Sequence, residues 1–323
     1  MSPCRPCALA VLAAIAALIM LTGCGGASKA VPIETRASAV PPVAPGGSVA
    51  PVARTAAGSP ARIAVIVMEN EEYGSVIGSP SAPFINSLAR RYGLATGMYA
   101  VSHPSLPNYL ALTGGSTFGI NSDCTDCTVA ATSLVDQLEH ADVSWRAYME
   151  DLPGRCFTGA GAGEYAKRHD PFAYYTRVVS DPRRCANIVP ITRLGIDERA
   201  GQLPRFSWIT PNLCHDMHDC PVSTGDRFLS GLVPPLLRAL GPGGLLFLTW
   251  DEGASDAGCC RLAAGGHIVT IVAGQGARLR ARLARPTDHY SVLQTIEDRL
   301  GLRRLRGATC ACTPSLAPLL ASR

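Results

Sequence analysis

The sequence predicts an α/β fold, a three-layer αβα sandwich on a mainly parallel central sheet. Two observations carry this expectation. The runs Arg62-Ile63-Ala64-Val65-Ile66-Val67-Met68 and Leu245-Leu246-Phe247-Leu248-Thr249-Trp250 are nearly unbroken apolar segments. Such runs suit strands covered on both faces, as parallel sheets require. Strand-like and helix-like segments then alternate along the chain, and no internal repeat is visible. At 323 residues the chain can hold one large α/β domain or two small ones, with an ample core.

In chain order, Arg5 precedes an apolar run from Ala8 to Leu21 that is too short and too rich in small residues for a membrane span. It ends in Leu21-Thr22-Gly23-Cys24, which resembles a bacterial lipobox: residues 1–23 would be removed as a signal and Cys24 acylated. An ordinary secretory signal cut nearby is the alternative, and either one exports the mature chain. The expected location is therefore the bacterial cell envelope through a lipid on Cys24, or the exterior if the lipobox is not used. Residues 24–60, rich in Ala, Pro, Val, Gly and Ser without period, read as a disordered tether. Residues 61–323 are then the catalytic domain.

Of 13 cysteines, Cys4 and Cys7 would leave with the signal and Cys24 would carry the lipid. The remaining ten are an even number in an oxidising compartment, which reads as disulfides with the connectivity open. A zinc site at Cys124-x-x-Cys127 is the rival, but no second pair with suitable spacing follows it.

Within the domain, residues 82–92 look helical and Met98-Tyr99-Ala100-Val101 forms a short strand. In Ser105-Leu106-Pro107-Asn108-Tyr109-Leu110-Ala111-Leu112-Thr113-Gly114-Gly115, prolines suit a first helical turn and the glycines stop the helix. Ser133–His140 has amphipathic helical spacing, and Val143–Tyr148 reads as a strand. Residues 150–187, rich in Gly, Pro, Cys and aromatics, form a cap pinned by disulfides. Phe206–Thr210 and His267–Ala273 are further strands. Gly225–Leu240 is a helix bent at Pro234-Pro235, and Asp288–Leu300 is the last helix.

The chemistry is expected where the two strongest strands end. One delivers Glu69-Asn70, the other Asp251-Glu252, and parallel strands bring both pairs to one sheet edge. Clustered carboxylates repel, so the arrangement calls for one divalent cation: Mg²⁺, Ca²⁺ or Mn²⁺ for oxygen ligands, with Zn²⁺ also accepting carboxylates. Taken singly, each pair could equally be a solvated strand end. Ser105 sits at the positive end of its helix, where an anion is favoured, with Asn108 one turn on to hold a developing oxyanion. A serine there can also be a simple helix cap. His103 reads as a base for Ser105 or a phosphate donor, His169 as an anion grip, and His215 and His218 as proton donors to a leaving group. His267 reads as structural and His140 as a solvated helix-end residue, while His289 is ambiguous.

Together, Arg62–Tyr73, the His103–Tyr109 run, Tyr165–Phe172, Asn212–Asp219, Asp251-Glu252-Gly253 and Asp288–Asp298 resemble bacterial phosphoesterases of the acid phosphatase and phospholipase C group, in the alkaline phosphatase superfamily. The resemblance spans about residues 62–306 and is nearest to short secreted acid phosphatases, including mycobacterial phosphatases active on phosphatidylinositol 3-phosphate. It implies an alkaline-phosphatase-like fold and one metal held by Glu69, Asn70, Asp251 and Glu252, with Ser105 as nucleophile. His103, His169 and His218 would then surround the phosphate. Relatives often carry Asp where Glu252 stands.

The implied activity is metal-dependent hydrolysis of phosphate monoesters, with a phosphoinositide headgroup as one candidate substrate. A phospholipase C-type phosphodiesterase is the alternative, and a non-catalytic envelope-binding lipoprotein is a second. A sulfatase needs Arg where Tyr109 stands, and a serine hydrolase needs a Gly-x-Ser-x-Gly elbow that this chain lacks. A net charge of +4 without basic runs, and only three tryptophans, excludes nucleic acid as a dedicated partner.

Overall fold

A computed structural model describes residues 61–260 and 263–322. The expected signal, the Cys24 lipid site and the 24–60 tether lie outside them. The first half supplies β1 (Ile63–Met68), α1 (Tyr73–Val76), α2 (Pro83–Arg91), β2 (Gly93–Tyr99), α3 (Ser105–Gly114), α4 (Leu134–His140), β3 (Trp145–Met149) and a small β4–β5 pair (Gly161–Ala162, Tyr165–Ala166). There follow α5 (Thr176–Val179), α6 (Pro182–Cys185), β6 (Ile188–Pro190), α7 (Thr192–Arg199), β7 (Phe206–Thr210) and α8 (Val222–Leu240). Last come β8 (Leu245–Trp250), β9 (His267–Ala273), β10 (Arg282–Leu283), β11 (Thr287–Asp288) and α9 (His289–Leu300).

The main sheet runs β10-β2-β9-β8-β1-β7-β3-β6, with β11 also against β2. From β8 through β1, β7 and β3 to β6 every pairing is parallel. All six residues of β1 and of β8 are buried, because helices cover both faces. The expected α/β architecture is therefore present, with one departure. β9 runs antiparallel to both β8 and β2. Among the described residues between β8 and β9 there is no crossover helix, and a chain that turns straight back can only pair antiparallel.

The short strand expected at residues 98–101 is instead the end of the longer β2. Within β2 a Cβ on Gly97 would stand 2.9 Å from the Ala284 carbonyl oxygen, so close backbone approach demands glycine there. The serine helix has the expected limits. Pro104 is its N-cap and Gly115 (φ 68°) closes it, the Gly115 N–H donating to the Ala111 carbonyl at 3.1 Å. Burial extends all round α3, beyond the single face that the spacing indicated. Pro234 and Pro235 lie inside α8 without ending it.

The ten cysteines pair as Cys124–Cys127, Cys156–Cys185, Cys214–Cys220, Cys259–Cys260 and Cys310–Cys312. The zinc alternative at Cys124 and Cys127 is thereby removed. Cys156–Cys185 pins the 150–187 cap as expected.

Glu297 in α9 illustrates a cost held in the core. Its Oε1 accepts the Leu305 N–H at 2.9 Å, Oε2 has no partner among the described residues, and burial pushes the carboxyl up to about 8. A raised folded pKa means that the folded chain holds the proton more tightly. The resulting stability is full below the ordinary carboxyl range and is lost as pH rises through about 8. Thermal melts of Glu297→Gln should show a shallower fall in Tm between about pH 5 and pH 8 than the parent chain. An unchanged slope would show that Glu297 is not the group titrating.

Candidate active site

Parallel register places Met68 beside Trp250, so the next residues, Glu69 and Asp251, leave the sheet side by side at its carboxyl edge. β7 adds a third contribution to this edge. The loop after it folds back until the Asp216 carbonyl accepts the Glu69 N–H at 2.9 Å. The Cys214–Cys220 bond closes that loop.

α3 aims its first turn at these carboxylates. Ser105 Oγ donates to Glu69 Oε2 at 3.1 Å, and one turn on the Tyr109 hydroxyl donates to Glu69 Oε1 at 2.5 Å. His169 comes from the single 3₁₀ turn Lys167–His169. Its Nε2 lies 3.3 Å from Glu69 Oε2 and its Nδ1 3.2 Å from Asp216 Oδ2, with the ring stacked on Tyr109. Glu69, His169 and Asp216 are buried, and each offers an atom within 4.8 Å of the others.

Burial and mutual repulsion set the electrostatics of this cluster. Burial, then Asp251 and Asp216, pushes Glu69 well above the usual carboxylate range. Burial chiefly raises Asp216 to about 8 and Asp251 to about 6. Burial also drives His169 well down, helped by Arg168 and His218, so its imidazole is neutral and free to ligate. His169 Nε2, Asp216 Oδ2 and Asp251 Oδ2 have no hydrogen-bond partner among the described residues. Buried polar atoms are rarely left so, and with Glu69, His169 and Asp216 offering atoms within 4.8 Å of one another they fit a bound cation.

The residues expected from sequence divide into two groups. Glu69, Asp251, Ser105 and His169 converge here. Others are held elsewhere. Asn70 adopts a left-handed φ of 57° and meets the cluster through its backbone, its N–H donating to Asp251 Oδ1 at 3.2 Å. Glu252 is engaged by His103, whose Nδ1 lies 2.7 Å from Glu252 Oε2. His103 Nε2 faces the Ser255 carbonyl at 3.1 Å, so both ring nitrogens meet acceptors. Neutral imidazole satisfies only one of these, and the His103 pKa is raised by Ser255 and Glu252 against the opposing effect of burial. This favours the imidazolium, which is a proton donor and no base.

Asn108 differs most from the expected oxyanion role. Its Oδ1 accepts the Ser102 N–H at 2.9 Å, and its Nδ2 donates to the Ser102 carbonyl at 2.7 Å and the Pro104 carbonyl at 3.2 Å. The amide is spent bracing the turn that presents Ser105. The free helix end expected at Ser105 is likewise modified, since Asp123 Oδ1 accepts the Leu106 N–H at 2.9 Å. His218 lies at the mouth, its Nδ1 2.6 Å from Asp219 Oδ1 and its Nε2 3.1 Å from Arg168 Nη2.

Of the remaining histidines, His215 stacks on Phe228 and bonds Glu150 at 2.9 Å. His267 stacks on Tyr73 and Tyr99, and buried His289 meets the Trp250 carbonyl at 3.0 Å, so these three shape the fold. The structure adds Asp216, which the sequence reading did not single out, to the cluster and places His169, read there as an anion grip, beside it. The usable signal was the acidic loop after a third buried strand. Asp216 stands six residues beyond Thr210, too far for a rule that reads only strand tips.

The Phosphoesterase family profile matches residues 76–303. The chain is similar to the phosphatidylinositol-3-phosphatase of Mycobacterium tuberculosis, 35% identical over 254 residues, covering 78% of this chain and 80% of that protein. It is 31% identical over 230 residues to an acid phosphatase of Aspergillus fumigatus, covering 68% of this chain and 49% of the relative. The chain thus spans about half the length of the fungal acid phosphatases it matches. Among solved structures it is similar to an alkaline phosphatase superfamily protein from Vibrio parahaemolyticus, at a TM-score of 0.56 and 13% identity over 78% of this chain and 70% of that one. That likeness shows the fold alone.

Proposed function

The chain belongs to the Phosphoesterase family and is a phosphoric ester hydrolase; from that premise we propose that it is an exported, metal-dependent phosphatase acting on phosphate monoesters through a phosphoserine intermediate. The observation that carries this reading is the Ser105 hydroxyl, 3.1 Å from Glu69 within a buried set of acidic and imidazole groups that includes unpartnered atoms. Glu69, His169, Asp216 and Asp251 would hold the cation. When bound, it would lower the pKa of a nearby hydroxyl and offset phosphoryl charge. Because one ligand is an imidazole, Zn²⁺ suits the set better than Mg²⁺ or Ca²⁺.

The chain's own residues supply the rest. Ser105 Oγ already directs its proton at Glu69 Oε2, which leaves a lone pair for in-line attack on phosphorus. Asn108 fixes the turn that presents it. His103, kept protonated between Glu252 and Ser255, gives a proton to the departing alcohol at the rim. Water then hydrolyses the phosphoserine.

The similarity to a phosphatidylinositol-3-phosphatase makes a phosphoinositide headgroup the substrate to try first. The Cys24 lipid anchor inferred from the sequence would keep the domain at a membrane surface, and its removal leaves residues 61–323 for assay. With that domain, phosphate release from phosphatidylinositol 3-phosphate should be fast, abolished by chelator and restored by divalent ion. Faster release of phosphocholine from phosphatidylcholine would make it a phosphodiesterase. Indifference to chelator would remove the metal from the mechanism.

A further inference from the structure

We propose that Arg168 is a substrate-binding residue that grips the outer oxygens of a terminal phosphate and so sets a preference for monoesters over diesters; this rests on the phosphatase reading above. Arg168 precedes His169 directly and is partly exposed at the mouth, its side chain 25% accessible. Its neighbour Lys167 turns away, donating to the Thr125 carbonyl at 2.7 Å and lying over the Tyr174 ring, so Arg168 carries the positive charge that faces the site.

The guanidinium is paired only loosely by the protein itself. Its Nε stands 3.6 Å from Asp123 Oδ2, beyond hydrogen-bond distance, and the other Asp123 oxygen is already committed to the Leu106 N–H. Its Nη2 meets His218 Nε2 at 3.1 Å. A guanidinium accepts nothing, so His218 presents its lone pair there and donates from Nδ1 to Asp219. The planar fork thus has an imidazole nitrogen and one loosely held carboxylate where a phosphate would bind far better. Asp123 links it to the first turn of α3, which carries Ser105, so the fork flanks the reacting position.

A monoester dianion offers the fork two adjacent charged oxygens. Of the three unesterified oxygens of the monoester a diester keeps only two, sharing one charge, so once an oxygen faces the acidic cluster only the monoester still offers the fork a pair. The site then discriminates by charge and geometry together.

The test compares the parent chain with Arg168→Gln and Arg168→Lys on p-nitrophenyl phosphate and bis(p-nitrophenyl) phosphate, with inorganic phosphate as competing inhibitor. Arg168→Gln should lose about tenfold to a hundredfold in kcat/KM on the monoester, and less than about threefold on the diester. The inhibition constant for phosphate should rise in parallel with the monoester loss. Arg168→Lys keeps the charge without the fork and should fall between. Equal losses on both esters in Arg168→Gln, with phosphate inhibition unchanged, would overturn the proposal. If the parent chain hydrolyses neither ester, the phosphatase reading fails instead. Calorimetric titration of inorganic phosphate into the parent and Arg168→Gln then decides the role of Arg168 alone.

Discussion

Replacing Ser105 with alanine is expected to cut kcat/KM on p-nitrophenyl phosphate by more than about a hundredfold while leaving the melting temperature nearly unchanged. The two halves of that expectation have separate causes. Ser105 is buried beside Glu69, and its oxygen is the nucleophile in the proposed reaction. Its loss removes covalent catalysis outright. The helix, however, does not depend on that hydroxyl. Pro104 is the N-cap, Asp123 satisfies the Leu106 N–H, and alanine is the strongest helix former. A large loss of turnover with an intact fold therefore isolates the chemistry. Near-normal turnover by Ser105→Ala would end the phosphoserine mechanism.

Asp216→Asn should produce two effects of opposite sign. Metal affinity, read by calorimetric titration of Zn²⁺, should fall by at least about tenfold to a hundredfold, a range seen even for residues that only orient ligands. Activity should fall with it. The metal-free variant should nevertheless be more stable than the metal-free parent near about pH 8–9. Burial raises the Asp216 carboxyl to about 8, so the parent loses stability as pH rises through that value, and the uncharged amide does not. Asn can still accept the His218 N–H that Asp216 Oδ1 now accepts at 2.8 Å, so the local turn is kept. In the parent, Zn²⁺ at a hundred times its Kd should add about 2.7 kcal/mol of stability, and in the variant far less. Equal Zn²⁺ stabilisation of both proteins would remove Asp216 from the ligand set.

What could be read from the sequence depended on how locally each feature is encoded. β1 and β8 are buried on both faces, and such strands announce themselves as apolar runs. Parallel register then carried Glu69 to Asp251 across 182 residues of chain. The Pro104 and Gly115 limits of α3 were legible for the same reason, because caps are written in adjacent residues. The places of Asp216 and His169 in the cluster were not legible. One reaches the cluster through a loop folded back on itself, the other from a single 3₁₀ turn, and neither conformation has a period. Asn108 shows the converse limit. Its position one turn after Ser105 matched an oxyanion donor, but its amide hydrogens go to the Ser102 and Pro104 carbonyls, a competition between partners that spacing does not record.

The pairing of the cysteines has a bearing on where this molecule is stiff. Three bridges span one, three and six positions and sit in segments that carry Glu252 and Ser255, Asp123, and Asp216 with His218. Rings so small remove little freedom from an unfolded chain, so they do little to hold the sheet together. Their effect is confined to the rim. Oxidation of these three therefore acts as a local splint on the reaction mouth, while Cys156–Cys185, which spans 29 positions, is the bridge that most restrains the unfolded chain.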